Sequence, residues 1–483
     1  MKASGFTGPR EFPRASERAL HDVGLQTALQ RATTRFRDGR TAAIAEVPHW
    51  EELRQQAKAV KEDVLAHLDD YLEQLERSVT AAGGRVHWAA DGESARRIIL
   101  GIAREHGVKL VVKSKSMTSE EIDLDEALER AGIEPVETDL GEFIVQISGE
   151  RPSHILAPAI HKTKEDVAAL FERRLGAPYT ELVEELTRTA RGHLREKFLA
   201  ADMGISGANF AVAETGTIVV VENEGNARMS TTLPPVHVAL MGIEKVLPRL
   251  DDLATFLALL PRSASGQRMS SYVSLITGPR RAADVDGPRE LHLVIMDNAR
   301  SRMLGDPELR ESLQCIRCGA CLNVCPVYQR AGGHAYGWVY SGPIGAVITP
   351  QLRGVEEAGE LPFASSLCGA CLEACPVAID LPRMLLALRQ RVVQQERAAG
   401  APRWWERWAL AGWARAMSSA RLYAVGARAA RLASFRGRTG GRIHRLPGPF
   451  RGWTESRDFP PLAGESFREW WRAHRGGDTE HEA

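Results

Sequence analysis

Apolar residues recur at three- and four-residue spacing at Leu53, Ala57, Val60, Val64, Leu65, Leu68, Leu72 and Leu75, and this predicts one long amphipathic helix. Ahead of it, residues 1–50 are polar and Arg-rich, with helical periodicity from Ala15 onward. Beyond it, helical and strand patterns alternate to about residue 297. The run from Ala95 to His106 reads as helix and KLVVKSKS (109–116) as a buried strand. EPVET (134–138) and EFIVQI (142–147) read as two more strands; the runs from Ala157 to Leu175 and from Tyr179 to Leu199 read as helices. NFAVAET and GTIVVVEN (209–223) form a hairpin turning near Thr215-Gly216. VHVALMGI (236–243), YVSLITG (272–278) and ELHLVIMD (290–297) complete the strands. This order implies an α/β layer domain with a largely parallel sheet.

At 483 residues the chain has the length of about three domains. With 44% hydrophobic and 26% charged residues it can bury large cores, which excludes intrinsic disorder and a disulfide-stapled mini-fold. The 62 basic and 62 acidic residues balance, so no global field draws nucleic acid. The last 88 residues differ: from Arg397 to Arg475 there are 16 Arg, no Lys and five acidic residues. Trp404, Trp405, Trp408 and Trp413 with interleaved Arg there read as a basic amphipathic helix. It suits peripheral membrane contact, an acidic partner, or packing on the protein's own core. No apolar run of 18 residues predicts a transmembrane helix, and the N-terminus lacks the apolar core of a secretion signal. The expected location is the cytoplasm, where structural disulfides are rare.

All seven cysteines lie between Cys315 and Cys375. The first run, Cys315, Cys318, Cys321 and Cys325 followed by Pro326, has the C-x2-C-x2-C-x3-C-P spacing of bacterial ferredoxins, whose fourth Cys serves the neighbouring cluster. The second run, Cys368, Cys371 and Cys375 followed by Pro376, repeats CGACLxxCP and starts one cysteine late, with Ser365 where the missing one would stand. Zinc is served by pairs of ligands, and this spacing suits iron–sulfur chemistry far better. The crossed pattern assigns Cys315, Cys318, Cys321 and Cys375 to cluster one, and Cys325, Cys368 and Cys371 to cluster two. The two expected [4Fe–4S] cofactors thus share seven Cys. The open corner admits a non-Cys ligand (His334 or Ser365), solvent or a partner at that iron, or a labile or three-iron cluster. GGHAYGWVYSGPIGAVITP (332–350) either packs over the clusters or simply connects the runs.

The cysteine block with LPFASSLCGACLEACPV, and with KSKSMTSEEI (113–122), ETDLGEFIVQI (137–147), PSHILAPAIHK (152–162) and AETGTIVVVENEGNARMSTTLPPVHVALMGIEKVLP (213–248), closely resembles the lactate utilization protein B family in register across residues 15–400. The resemblance implies an α/β LUD domain, an open sheet of the sugar-phosphate isomerase/CoA-transferase kind. An α-helical ferredoxin-type bicluster domain and a helical, basic C-terminal tail follow. The resulting layout is 1–50 helical extension, 51–298 LUD domain, 299–395 two-cluster domain and 396–483 Arg/Trp-rich region. It also implies a role as the iron–sulfur electron-transfer subunit of a multi-component system oxidising L-lactate to pyruvate. The implied partners are a Cys-rich subunit of the heterodisulfide-reductase type and a smaller LUD protein.

Within the LUD block, Lys113, Lys115 and Ser116, with Ser114 and Thr118, stand at a strand end where a carboxylate or phosphate could be cradled. Glu137 and Asp139 flank the next strand end, and Glu214, Thr215 and Gly216 form a polar turn expected near the same edge. The same residues also read as helix caps and salt bridges. No GxGxxG follows the first strand, which argues against a nicotinamide site. Two other roles compete with electron transfer: a stand-alone LUD transferase or isomerase with structural clusters, and an iron–sulfur redox sensor.

Overall fold

The computed structural model describes residues 8–399 apart from Lys115, and 404–474 apart from 436–437, 440–441, 447 and 456. It falls into two units, residues up to 395 and residues from 396 onward.

The first unit is built on a six-stranded sheet. Its strands are β1 (Arg85–Ala89), β2 (Leu110–Lys113), β3 (Glu134–Glu137), β4 (Met203–Gly207), β7 (Val236–Gly242) and β10 (Glu290–Met296), in the order β1-β10-β7-β4-β2-β3 and all parallel. Every residue of β7 is buried, as expected of a strand covered by helices on both faces. A separate four-stranded sheet holds β5 (Phe210–Val212), β6 (Thr217–Glu222), β8 (Val246–Leu247) and β9 (Tyr272–Ile276), in the order β8-β5-β6-β9. The predicted hairpin is therefore present, since β5 and β6 pair antiparallel, but it stands outside the parallel sheet.

The long helix predicted through Leu75 breaks at His67 into Trp50–Ala66 and Leu68–Ala81. EFIVQI is not a strand. It lies in the helix Leu140–Ser148, where Asp139 caps the N-terminus by accepting from the N–H groups of Gly141 (3.0 Å) and Glu142 (3.1 Å), and Gly149 ends it in a left-handed turn. These two caps override the strand preference of its β-branched residues. The helix expected from Ala157 begins only at Lys164, with Thr163 and Asp166 forming a capping box.

The N-terminal segment forms the helices Phe12–His21 and Val23–Ala45. Phe12, Leu29 and Trp50 share one core with the cysteine-bearing segment and with Leu381, Met384, Leu385 and Leu388 of the helix Leu381–Ala398. The stretch 332–350 is folded: it holds the turn His334–Tyr336 and the helix Gly342–Arg353, with Tyr336 and Tyr340 buried.

In the second unit the helices Trp404–Ser418 and Ala420–Phe435 precede a short antiparallel pair, Arg438–Thr439 with Arg442–Ile443, and the helix Phe467–His474. Trp408 and Trp413 are exposed, which sets aside the reading that packs them on a core; the side chains of Trp404 and Trp405 lie outside the described residues.

Candidate iron–sulfur centres and an adjoining cavity

The two cysteine runs share one backbone plan. Arg317 (φ 60°) and Leu367 (φ 54°), each directly before a Cys-Gly pair, are left-handed, which non-glycine residues rarely adopt. Gly319 and Gly369 follow, also left-handed, and open the short helices Ala320–Val324 and Ala370–Ala374, each ending at an extended Cys before Pro. The Arg317 N–H donates to Cys315 Sγ at 3.4 Å, and the Leu367 N–H donates to Ser365 Oγ at 3.1 Å. Ser365 thus repeats the place and the local hydrogen bond of Cys315.

Mutual electrostatics sort the thiols into two groups. Cys318 and Cys321 feel Cys315 and Cys375; Cys371 feels Cys325 and Cys368. Cys321 also feels Cys371, so the groups adjoin. Burial, with the neighbouring thiols adding to it, pushes Cys375 up to about 11, Cys371 to about 12, and Cys318 and Cys321 further. Thiolates crowded in this way need a cationic centre to share, and soft sulfur donors suit iron; the donor set fits iron–sulfur centres. Cys368 is exposed, Cys315 half-buried and the other five buried.

The N-terminal helices close over this region. Arg40 donates to the Ala374 carbonyl at 3.0 Å, and Arg54 to the carbonyls of Cys375 (2.9 Å) and Leu372 (3.2 Å). Tyr336 lies within electrostatic reach of Cys325 and Cys321. His334 is engaged elsewhere: its Nε2 pairs with the Arg151 carbonyl at 2.6 Å and its ring meets His161 edge-on at 4.5 Å between centroids. This corrects its candidacy as a cluster ligand.

The residues expected to form one LUD ligand site separate. Lys113 is buried and paired with Asp125 and Glu137 (2.7 Å), two carboxylates that outweigh burial and keep its ammonium charged. Lys113 is thus engaged by Asp125 and Glu137, while burial raises the Glu137 carboxyl to about 8 and its Oε2 has no hydrogen-bond partner among the described residues. Glu214 accepts from the Leu250 N–H at 3.0 Å, and Gly216 packs on the backbone of Ser78 and Val79. That turn, with Thr215, stands at the far end of the hairpin from Ser116 and Asp139, because β6 runs its whole length between them. Lys115 lies outside the described residues.

Ser116 and Asp139 do meet, on the wall of a cavity of about 370 Å³ at the C-terminal edge of the parallel sheet. Ser114, Gly207, Asn209, Asn226 and Lys245 line it from the sheet side, while Arg317, Cys318 and Tyr340 line it from the cysteine side.

Beneath the cavity lies a buried ionic network. Arg300 grips Glu121 with both terminal nitrogens (2.9 and 2.8 Å) and donates from Nε to Glu244 at 2.8 Å. Tyr340 donates to Glu121, and Lys61 to the Glu244 carbonyl. Burial pushes the Glu244 carboxyl up, but Arg300, Lys245 and Arg317 outweigh it and hold it at about 2. Burial lowers Lys245 to about 8 and Lys61 to about 7, against the pull of Glu244. Sequence reading missed Arg40, Arg54, Lys61 and Arg300, which carry no local motif, and gave no role to Glu121 and Lys245, although both lie in segments that carry the family resemblance. Arg317 was visible inside the cysteine spacing.

Comparison with known proteins matches residues 72–296 to the LUD domain, 311–379 to the 4Fe-4S dicluster domain and 388–476 to the C-terminal domain described as Lactate utilisation protein B, C-terminal. Lactate utilization protein B of Bacillus licheniformis is 46% identical over 469 residues, covering 97% of this chain and 98% of that protein. The protein of the same name from Shouchella clausii is 46% identical over 465 residues, covering 96% and 97%. A crystal structure of a DUF162 family protein from Deinococcus radiodurans covers 47% of this chain and 98% of its own, at 14% identity and a TM-score of 0.27. A LUD block, a dicluster block and the characteristic tail follow one another in a chain matched almost end to end, and the chain belongs to the lactate utilization protein B family.

Proposed function

We propose that this chain is the iron–sulfur electron-transfer subunit of a multi-component system that oxidises L-lactate to pyruvate, with a Cys-rich subunit and a smaller LUD protein as its companions. The observation that carries the reading is the pair of adjoining thiol groups: one reaches the cavity through buried Cys318, the other includes exposed Cys368. Bound iron–sulfur clusters supply one-electron redox centres, so a pair matches the two electrons that leave lactate along with two protons.

The chain's own residues would hold the first centre by Cys315, Cys318, Cys321 and Cys375, and the second by Cys325, Cys368 and Cys371. Ser365 is the eighth ligand in this reading, because its Oγ occupies the position that Cys315 fills in the other run. Arg40 and Arg54 fix the carbonyls around Cys375, and the N-terminal helices exclude water from the buried group. The exposed Cys368 marks the face toward an acceptor.

The test joins chemistry with growth. Protein purified without oxygen should hold about eight iron and eight sulfide per chain, with two interacting reducible centres by EPR. Deleting this chain alone should abolish growth on L-lactate as sole carbon source. Normal growth of the deletion strain, or about four iron per chain, would overturn the reading.

A further inference from the structure

We infer that the cavity at the C-terminal edge of the parallel sheet binds a small 2-hydroxy or 2-oxo acid anion, its carboxylate held between Lys245 and Arg317. The inference rests on the lactate reading for the identity of the acid, and on the cavity's own chemistry for the site.

Two donor groups in the cavity lining are unspent. Lys245 is buried at the cavity wall, and among the described residues no hydrogen bond or ion pair engages its ammonium. Arg317 lies over the Tyr340 ring at 4.5 Å and 3.6 Å from Glu244 Oε1, leaving its Nη1 buried without a hydrogen-bond partner.

Across the network below, the acidic groups that face Lys61, Lys245, Arg300 and Arg317 among the described residues are Glu121, Glu244, Tyr340 and Cys315. The carboxylates at the cavity wall are already occupied by backbone donors. Asp139 accepts from Gly141 and Glu142, Glu222 from Ala227 (2.8 Å) and Arg228 (2.7 Å), and Glu224 from Leu140 (3.0 Å). What the cavity has unspent is donor capacity, in the Lys245 ammonium and the Arg317 Nη1, which suits a carboxylate acceptor. Its lining also includes the apolar side chains of Met117, Leu156 and Leu260, which suit a short alkyl group. At about 370 Å³ it sits at the small end of ligand pockets, which span roughly 300–1,000 Å³. Cys318 in its wall places the acid beside the first thiol group.

The experiment is calorimetric titration of the whole chain, purified without oxygen, with L-lactate, pyruvate, D-lactate and inorganic phosphate, alongside EPR of the reduced protein. L-lactate or pyruvate should bind saturably and alter the EPR line shape. Lys245→Met should weaken that binding by about tenfold or more, as expected on losing a charge-assisted contact, and Lys245→Arg should restore most of it. Iron and sulfide content report folding in each variant. If Lys245→Met loses its iron, Leu156→Trp, which narrows the cavity from its apolar lining, should abolish binding at normal iron content.

No saturable binding of either acid, or binding indifferent to both substitutions, would overturn the inference. Phosphate binding as tight as that of the acids would overturn the ligand class. If deletion of the chain still abolishes growth on lactate while the acids fail to bind, the cavity assignment falls and the subunit reading stands. Binding together with normal growth of the deletion strain would mean the reverse.

Discussion

At the scale of single residues, the comparison of Cys315 with Ser365 is the sharpest feature of the cysteine segment. Both accept a hydrogen bond from the N–H two residues on, and in both runs that donor residue is left-handed. An alkoxide is a harder and less common iron ligand than a thiolate. Ser365→Ala should therefore leave the second centre with three ligands, and oxidised protein should show a three-iron EPR signal. Ser365→Cys should keep four iron in that centre under the same exposure to air. Identical spectra from both variants and the parent would remove Ser365 from the ligand set.

At the scale of elements, legibility depended on whether local pattern and tertiary environment agreed. The cysteine spacing, the β5/β6 hairpin and the continuous apolar runs of β7 and β10 were readable because each signal is local and strong. β4 was not. MGISG offers little β-propensity or alternation, yet it is the strand between β2 and β7. Its glycine answers a contact that only the fold creates: a Cβ on Gly204 would lie 1.8 Å from the Ser230 carbonyl oxygen, where the helix Asn226–Thr232 crosses the sheet.

Gly204→Ala must move that helix, and overpacking of this kind costs about 1–3 kcal/mol. Denaturant unfolding should show a loss in that range, and an unchanged midpoint would mean the helix yields freely. The helix Leu140–Ser148 was misread for the opposite reason, because its apolar run looks like a strand while the caps at Asp139 and Gly149 decide the outcome. In the candidate site, Ser116 and Asp139 were legible as residues at strand ends. Arg300 was not, because it meets Glu244 only after β7 and β10 lie side by side, and Lys245, though next to Glu244 in the sequence, reaches the cavity only in the folded chain.

At the scale of the first unit, the helices ahead of residue 50 belong to the iron–sulfur centres as much as the cysteine segment does. Leu29 and Phe12 share its core, and Arg40 reaches the second cysteine run. A chain lacking residues 1–49 should lose iron to a chelator much faster than the full chain, measured colorimetrically under argon; equal rates would show that these helices protect nothing.

The crossed grouping of the thiols has one more consequence. Cys375 lies in the second run and groups with the first, while Cys325 does the reverse, so in the proposed assignment neither run completes a centre alone. Filling one group fixes both runs in register and leaves less ordering entropy to be lost when the other fills. Metal loading should then be cooperative, with half-loaded molecules scarce. If the proposed ligand assignment holds, protein made under iron starvation should consist of fully loaded and empty chains, with few that carry a single centre.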